Sequence, residues 1–125
     1  MVVPPSLRRW FVFHFWADLA FALPLFFIPE RFLGLLGWPC VDAAAARIAA
    51  AALFGIGIQS LLGRNAAVAE FRAMLNLKVI WSAASTVGLL WTALQGSAPW
   101  LWAFVAIFAG FNIVWTTYLV RLRPR

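Results

Sequence analysis

The sequence predicts an all-α integral membrane protein, a single domain spanning residues 1–125 and built as a bundle of four transmembrane helices with both termini cytoplasmic. Three observations carry this reading. Of the 125 residues 65% are apolar and 11% charged, with a mean hydropathy of +0.90, a composition that water cannot cover and that a bilayer accepts on every outward face. The apolar residues fall into four runs of span length, with nearly all the Arg in the stretches that separate or flank them. Eight of the ten Lys and Arg residues lie on one side of those runs, the bias that orients a membrane protein.

The first span covers about residues 10–28 and is closed by Pro29, Glu30 and Arg31. Its length just crosses a hydrocarbon core of roughly 30 Å at about 1.5 Å per residue. Arg8-Arg9 ahead of it superficially resembles a twin-arginine signal, but Asp18 interrupts the apolar run and no small-residue cleavage site follows, so the expectation is a retained helix. Pro24 is expected to kink it and to free the Ala20 carbonyl. Residues 30–42, with Gly34, Gly37 and Pro39, read as a connection too apolar for a solvated loop and are expected to lie along the membrane surface.

The second span, about residues 43–62, opens after Asp42 at an N-cap position and stops at Gly63-Arg64-Asn65. The third covers about residues 74–94, its helix beginning as early as Ala66, and the fourth, about residues 100–120, follows the turn 95–99 and ends at Arg121, Arg123 and Arg125. The cytoplasmic side collects Arg8, Arg9, Arg64, Arg72, Lys78 and the three tail arginines, leaving Arg31 and Arg47 outside. Arg47 is expected to snorkel toward Glu30 or Asp42.

Aromatic residues fit the same frame as an interfacial belt, with Trp38, Trp91, Trp100 and Trp102 at the outer boundary and Trp10, Trp115 and Tyr118 at the inner. Trp16 and Trp81 lie deeper and are the candidate contacts for a hydrophobic ligand. Small residues four apart, Ala51 and Gly55, Ala84 and Gly88, Ala106 and Gly110, are expected to form the bundle seams. The similar runs Ala52–Ile56 and Ala106–Gly110 hint at a duplicated helical hairpin.

Net charge of +6 and a pI near 11.5 do not indicate nucleic acid, because the basic residues form no stripe interleaved with polar or aromatic readers. Cys40 is the single cysteine, without a companion at disulfide or metal spacing. No metal site, catalytic residue or obligatory cofactor is expected.

The residues that carry information inside a bilayer are the polar ones, since a charge near its centre costs at least ~2.5 kcal/mol. They are His14, Asp18, Gln59, Asn76, Lys78 and Asn112. Counted from the cytoplasmic ends, His14, Gln59, Asn76 and Lys78 lie roughly 3–6 Å inside, and Asp18 and Asn112 roughly 12 Å. All six fall in the cytoplasmic half of four different spans and form a candidate polar site. His14 and Asp18, four apart, share a helix face and are able to share a proton. Lys78 either snorkels to the surface or neutralises Asp18, and Asp18 is the expected protonation site.

Short length, four spans and an acid in the first span give an architecture similar to that of the small multidrug resistance transporters, without their motifs around the acid or in the later Trp/Tyr-rich span. Pro29, the run Leu33–Gly37 and the run Arg47–Gly55 resemble small four-helix membrane proteins of the DoxX-like kind. The second resemblance covers about a third of the chain, implies a four-helix fold, and carries over no functional residue.

The leading expectation is a non-catalytic accessory or assembly subunit, or a binder of a lipid-like molecule, in the cell membrane as a homo-oligomer or part of a larger complex. The alternative is a proton-coupled transporter or channel acting as a homo-oligomer through Asp18. Weaker alternatives are a haem or chlorophyll-type pigment subunit using His14 and a lipid-acting enzyme with His14 and Asp18 as an acid–base pair.

Overall fold

The computed structural model describes residues 1–124; the tail residue Arg125 lies outside them. Among the described residues the chain is all helix, with five α-helices, one short 3-10 turn and no strand. Four helices are long and apolar enough to cross a membrane. The chain divides into two units, one of residues 4–65 and one of residues 66–124 with Met1–Val3.

In the first unit, α1 (Pro5–Phe27) starts with Pro5 in its first turn, where the missing N–H costs nothing, and runs on through Pro24. It thus begins about a turn before the apolar run. The Ile28 N–H donates to the Pro24 carbonyl at 2.9 Å and ends it. A second helix, α2 (Pro29–Leu35), occupies the stretch expected to be a connection. Pro29 in its first turn and Glu30 beside it are helix-starting signals. Gly37, at φ 91°, then closes α2, with the Trp38 N–H donating to the Leu33 carbonyl at 3.0 Å. Phe32 of α2 packs its ring edge-on to Phe21 of α1 at 6.3 Å.

Helix α3 (Ala43–Leu62) has the predicted bounds, and the carboxylate of Asp42 accepts from the Ala45 N–H at 3.0 Å as the predicted cap. Helices α1 and α3 form an antiparallel hairpin. Phe26 and Phe54 meet edge-on at 5.9 Å at one end, and at the other Arg8 donates to the Arg64 carbonyl at 2.7 Å. Arg47 turns to the end of α1 and not to Glu30 or Asp42; its Nε donates to the Phe26 carbonyl at 3.0 Å. That carbonyl belongs to the last turn of α1, where the helix has no N–H to offer and a cation is favoured.

In the second unit, α4 (Val68–Leu94) opens with Glu70 in its first turn and ends at Gly96, whose φ of 81° turns the chain toward α5 (Leu101–Arg121). These two helices form the second hairpin.

Two expectations are corrected by burial. Trp115 (1% exposed) and Tyr118 are inside the protein rather than in an interfacial belt, whereas Trp91, Trp100 and Trp102 are exposed as anchors would be. The small-residue pairs Ala51/Gly55, Ala84/Gly88 and Ala106/Gly110 are all exposed, and a Cβ added at Gly55, Gly88 or Gly110 would meet no atom within 4 Å. They are not the seams within either hairpin. The spacing that lets backbones approach is the same whichever way a helix is turned, so the motif did not specify its direction.

Candidate functional site

The buried face of α1 is the stripe Leu7, Phe11, His14, Asp18 and Ala22, which sets two ionisable groups one turn apart on a face that excludes solvent. His14 and Asp18 are each 6% exposed, and Nδ1 of His14 lies 3.2 Å from Oδ2 of Asp18. Opposite them, α3 presents Gly57. A Cβ at that position would fall 2.8 Å from the Asp18 Cβ and 3.2 Å from its Oδ2, so the absent side chain is what admits the carboxylate between the helices. Ser60, one turn further on α3, is buried and donates to the Ile56 carbonyl at 2.6 Å.

The second hairpin buries a different polar set. Lys78 is only 3% exposed and does not snorkel; its ammonium lies 4.9 Å from the centre of the Trp115 ring, a cation–π distance. Ser82, one turn along α4, donates to the Lys78 carbonyl at 2.7 Å. Asn112 of α5 reaches across to α4 and donates to the Val79 carbonyl at 3.1 Å and to Ser82 Oγ at 3.0 Å. These bonds join α4 to α5. Phe111 stacks on Trp115 at 5.7 Å and holds the indole under Lys78.

The two hairpins share a register. Leu7, Phe11, His14, Asp18 and Ala22 of α1 follow one another at the same intervals as Phe71, Leu75, Lys78, Ser82 and Thr86 of α4, all but Thr86 buried. Ala46, Gly57, Ser60 and Gly63 of the α3 segment match Leu101, Asn112, Trp115 and Tyr118 of the α5 segment in the same way. The two matches are separate, yet they intersect at one place. Asp18 against Gly57 corresponds to Ser82 against Asn112, and each pair is in contact in its own hairpin. One hairpin places an acid where the other places a hydroxyl, and His14 occupies the position of Lys78. The residues of this match are not those of the two similar runs Ala52–Ile56 and Ala106–Gly110.

Of the six polar residues singled out in the sequence, His14 and Asp18 are joined directly in the first hairpin, and Asn112 bonds to the turn after Lys78 in the second. Gln59 and Asn76 are exposed on the outer faces of α3 and α4. Trp16 is 63% exposed on α1 and Trp81 half-buried on α4, so Trp16 faces outward. Gly57, Ser60 and Ser82 were not singled out. Serine is unremarkable in apolar helices, and the signal for Gly57 was only that it follows Gly55 by two residues and therefore faces another side of α3. Among the described residues no three His, Cys, Asp or Glu side chains gather into a group able to hold a metal ion.

No protein-family model, characterised protein or solved structure matches this chain.

Proposed function

We propose that the protein is a multi-pass membrane protein, with both termini cytoplasmic, that acts without catalysis as a lipid-holding or accessory subunit. One observation carries this reading: Ser60, Ser82 and Asn112, polar groups inside the apolar helices, are committed to structure within their own hairpin. Ser60, Ser82 and Asn112 bond to backbone carbonyls or to each other, which removes the penalty of polar atoms in hydrocarbon. The outward faces, by contrast, are mostly apolar or small and carry Phe13, Trp16, Ile48, Ile80 and Ile113, surfaces suited to lipid or to another membrane helix. The test is gentle extraction from the native membrane followed by native mass spectrometry. Retained lipid or a partner subunit supports the reading; a bare monomer that holds neither rejects it.

A second reading, a proton-coupled transporter or channel, is favoured by the buried His14–Asp18 pair at 3.2 Å. An acid and an imidazole on one intramembrane face are able to pass a proton between them, and such residues commonly mark ion pathways. Flux of protons, monovalent cations and cationic drugs in proteoliposomes separates the two. Loss of flux in Asp18→Asn supports transport, and wild-type protein without flux rules it out.

A further inference from the structure

We infer that the amino-terminal end of α1 holds the head group of an anionic phospholipid, with Arg9 as the phosphate ligand. This deepens the lipid-holding reading and rests on it. Ser6, Arg9, Trp10 and Phe13 line an open groove of about 340 Å³, and their spacing places them on one face of the helix.

The two arginines at this end have different surroundings. Arg8 is half-buried and committed to the Arg64 carbonyl at 2.7 Å. Arg9 is exposed within the groove beside a hydroxyl and two aromatic rings. Among the described residues the groove lining has one cation, Arg9, and no carboxylate. A guanidinium matches a phosphodiester, because its planar fork gives paired N–H donors, and the Ser6 hydroxyl lies beside it in the groove.

The continuation of this face selects a lipid over a soluble phosphate. Trp10 and Phe13 meet edge-on at 5.5 Å, and the next exposed residues on the face are Trp16, Ala20 and Leu23. A head group at Arg9 would lay its acyl chain along this apolar strip, with Trp10 at the level of the polar boundary where indoles concentrate. The second hairpin lacks the arrangement. By the shared register Ser6 and Arg9 correspond to Glu70 and Ala73, and the acid at 70 would repel a phosphate.

Native mass spectrometry of the full chain in mild detergent tests this, titrating phosphatidylglycerol and phosphatidylcholine of identical chains against wild type, Arg9→Gln, Ser6→Asp and Arg121→Gln. Wild type is expected to retain phosphatidylglycerol over phosphatidylcholine by about tenfold, Arg9→Gln and Ser6→Asp to lose that preference, and Arg121→Gln to keep it. Glycerol phosphate should not compete. An equal loss in Arg121→Gln, an unchanged preference in Arg9→Gln, or competition by glycerol phosphate overturns the assignment. Retention of both lipids without preference overturns the site and leaves the lipid-holding reading standing, whereas retention of neither removes both.

Discussion

Gly57 of α3 and Asp18 of α1 are so close that a methyl group at position 57 would lie 2.8 Å from the Asp18 Cβ. The neighbour is the root of a side chain rather than its flexible end, so the helices themselves must move to make room. Gly57→Ala is therefore expected to lower stability by about 1–3 kcal/mol, the usual range for overpacking, outweighing a gain in helix propensity of roughly 1 kcal/mol. Gly55→Ala supplies the contrast. With nothing within 4 Å of its added Cβ, it should be neutral or stabilising. Reversible unfolding of the two variants in mixed micelles measures the difference, and equal effects would rule out the close approach as the reason for glycine at 57.

The shared register predicts that the crossing of the first hairpin can be rebuilt as the crossing of the second. Gly57→Asn alone places a side chain against Asp18, and Asp18→Ser alone leaves Gly57 facing a small hydroxyl. Together they reproduce the Ser82–Asn112 arrangement, in which the amide donates to the hydroxyl at 3.0 Å. The double variant should be more stable than the sum of the single effects by about 0.5–3 kcal/mol, as contacting residues in a mutant cycle are. Additive effects would mean that the matching intervals do not reflect matching packing.

Much of the helical plan was legible because it follows from local chemistry. Asp42 caps α3 where a side-chain acceptor was needed, and the apolar run from Ala43 ends where Gly63 stops it. The short helix α2 was hidden because Gly34 and Gly37 read as loop, yet only Gly37 adopts a left-handed conformation. Side-chain direction was the least legible property. When nearly every position is apolar, composition no longer separates inward from outward faces, so Trp115 read as an anchor and Ala51/Gly55 as a seam. His14 and Asp18 escaped that ambiguity, since their polarity alone argued for burial.

Asn112 ties α4 to α5 through hydrogen bonds, and its replacement by Leu should cost about 0.6 kcal/mol, the average for interhelical bonds in a membrane protein, and no more than about 1.7. Ser82→Ala should cost less, because Asn112 keeps the Val79 carbonyl at 3.1 Å. Trp115, three residues from Asn112 on α5 and buried, provides a fluorescence report on whether the helices have loosened. A Ser82→Ala effect as large as that of Asn112→Leu would contradict the assignment of two bonds to this amide.

Arg47 stabilises the end of α1 by donating to the Phe26 carbonyl. Arg47→Met keeps much of the aliphatic stem and removes the donor, so the loss should be local. Because the bond is exposed, a change of about 0.5–1.5 kcal/mol in the opening of the last turn is the appropriate scale. Hydrogen exchange at the Ile28 amide, which donates to Pro24 at 2.9 Å, should accelerate several-fold while amides in the middle of α3 remain unchanged. Uniform acceleration throughout the hairpin would instead assign Arg47 a role in the stability of the whole unit.

The outward small-residue pairs bear on self-association. A Cβ added at Gly55, Gly88 or Gly110 would meet nothing within 4 Å beyond its own helix backbone, so replacing any of them by Leu should leave helix content and the hairpin contacts intact. In lipid, however, small residues four apart permit close approach of a neighbouring backbone, an interaction driven by packing and not by the hydrophobic effect. If copies of the chain associate through α3, α4 or α5, the Leu variant on the responsible helix should shift the oligomer distribution toward monomer by about tenfold, and the other two should not. Single-molecule photobleaching in vesicles reads this directly. A wild-type protein that is already monomeric would exclude self-association, whereas equal weakening by all three variants would point to a general effect on lipid solvation rather than to one interface.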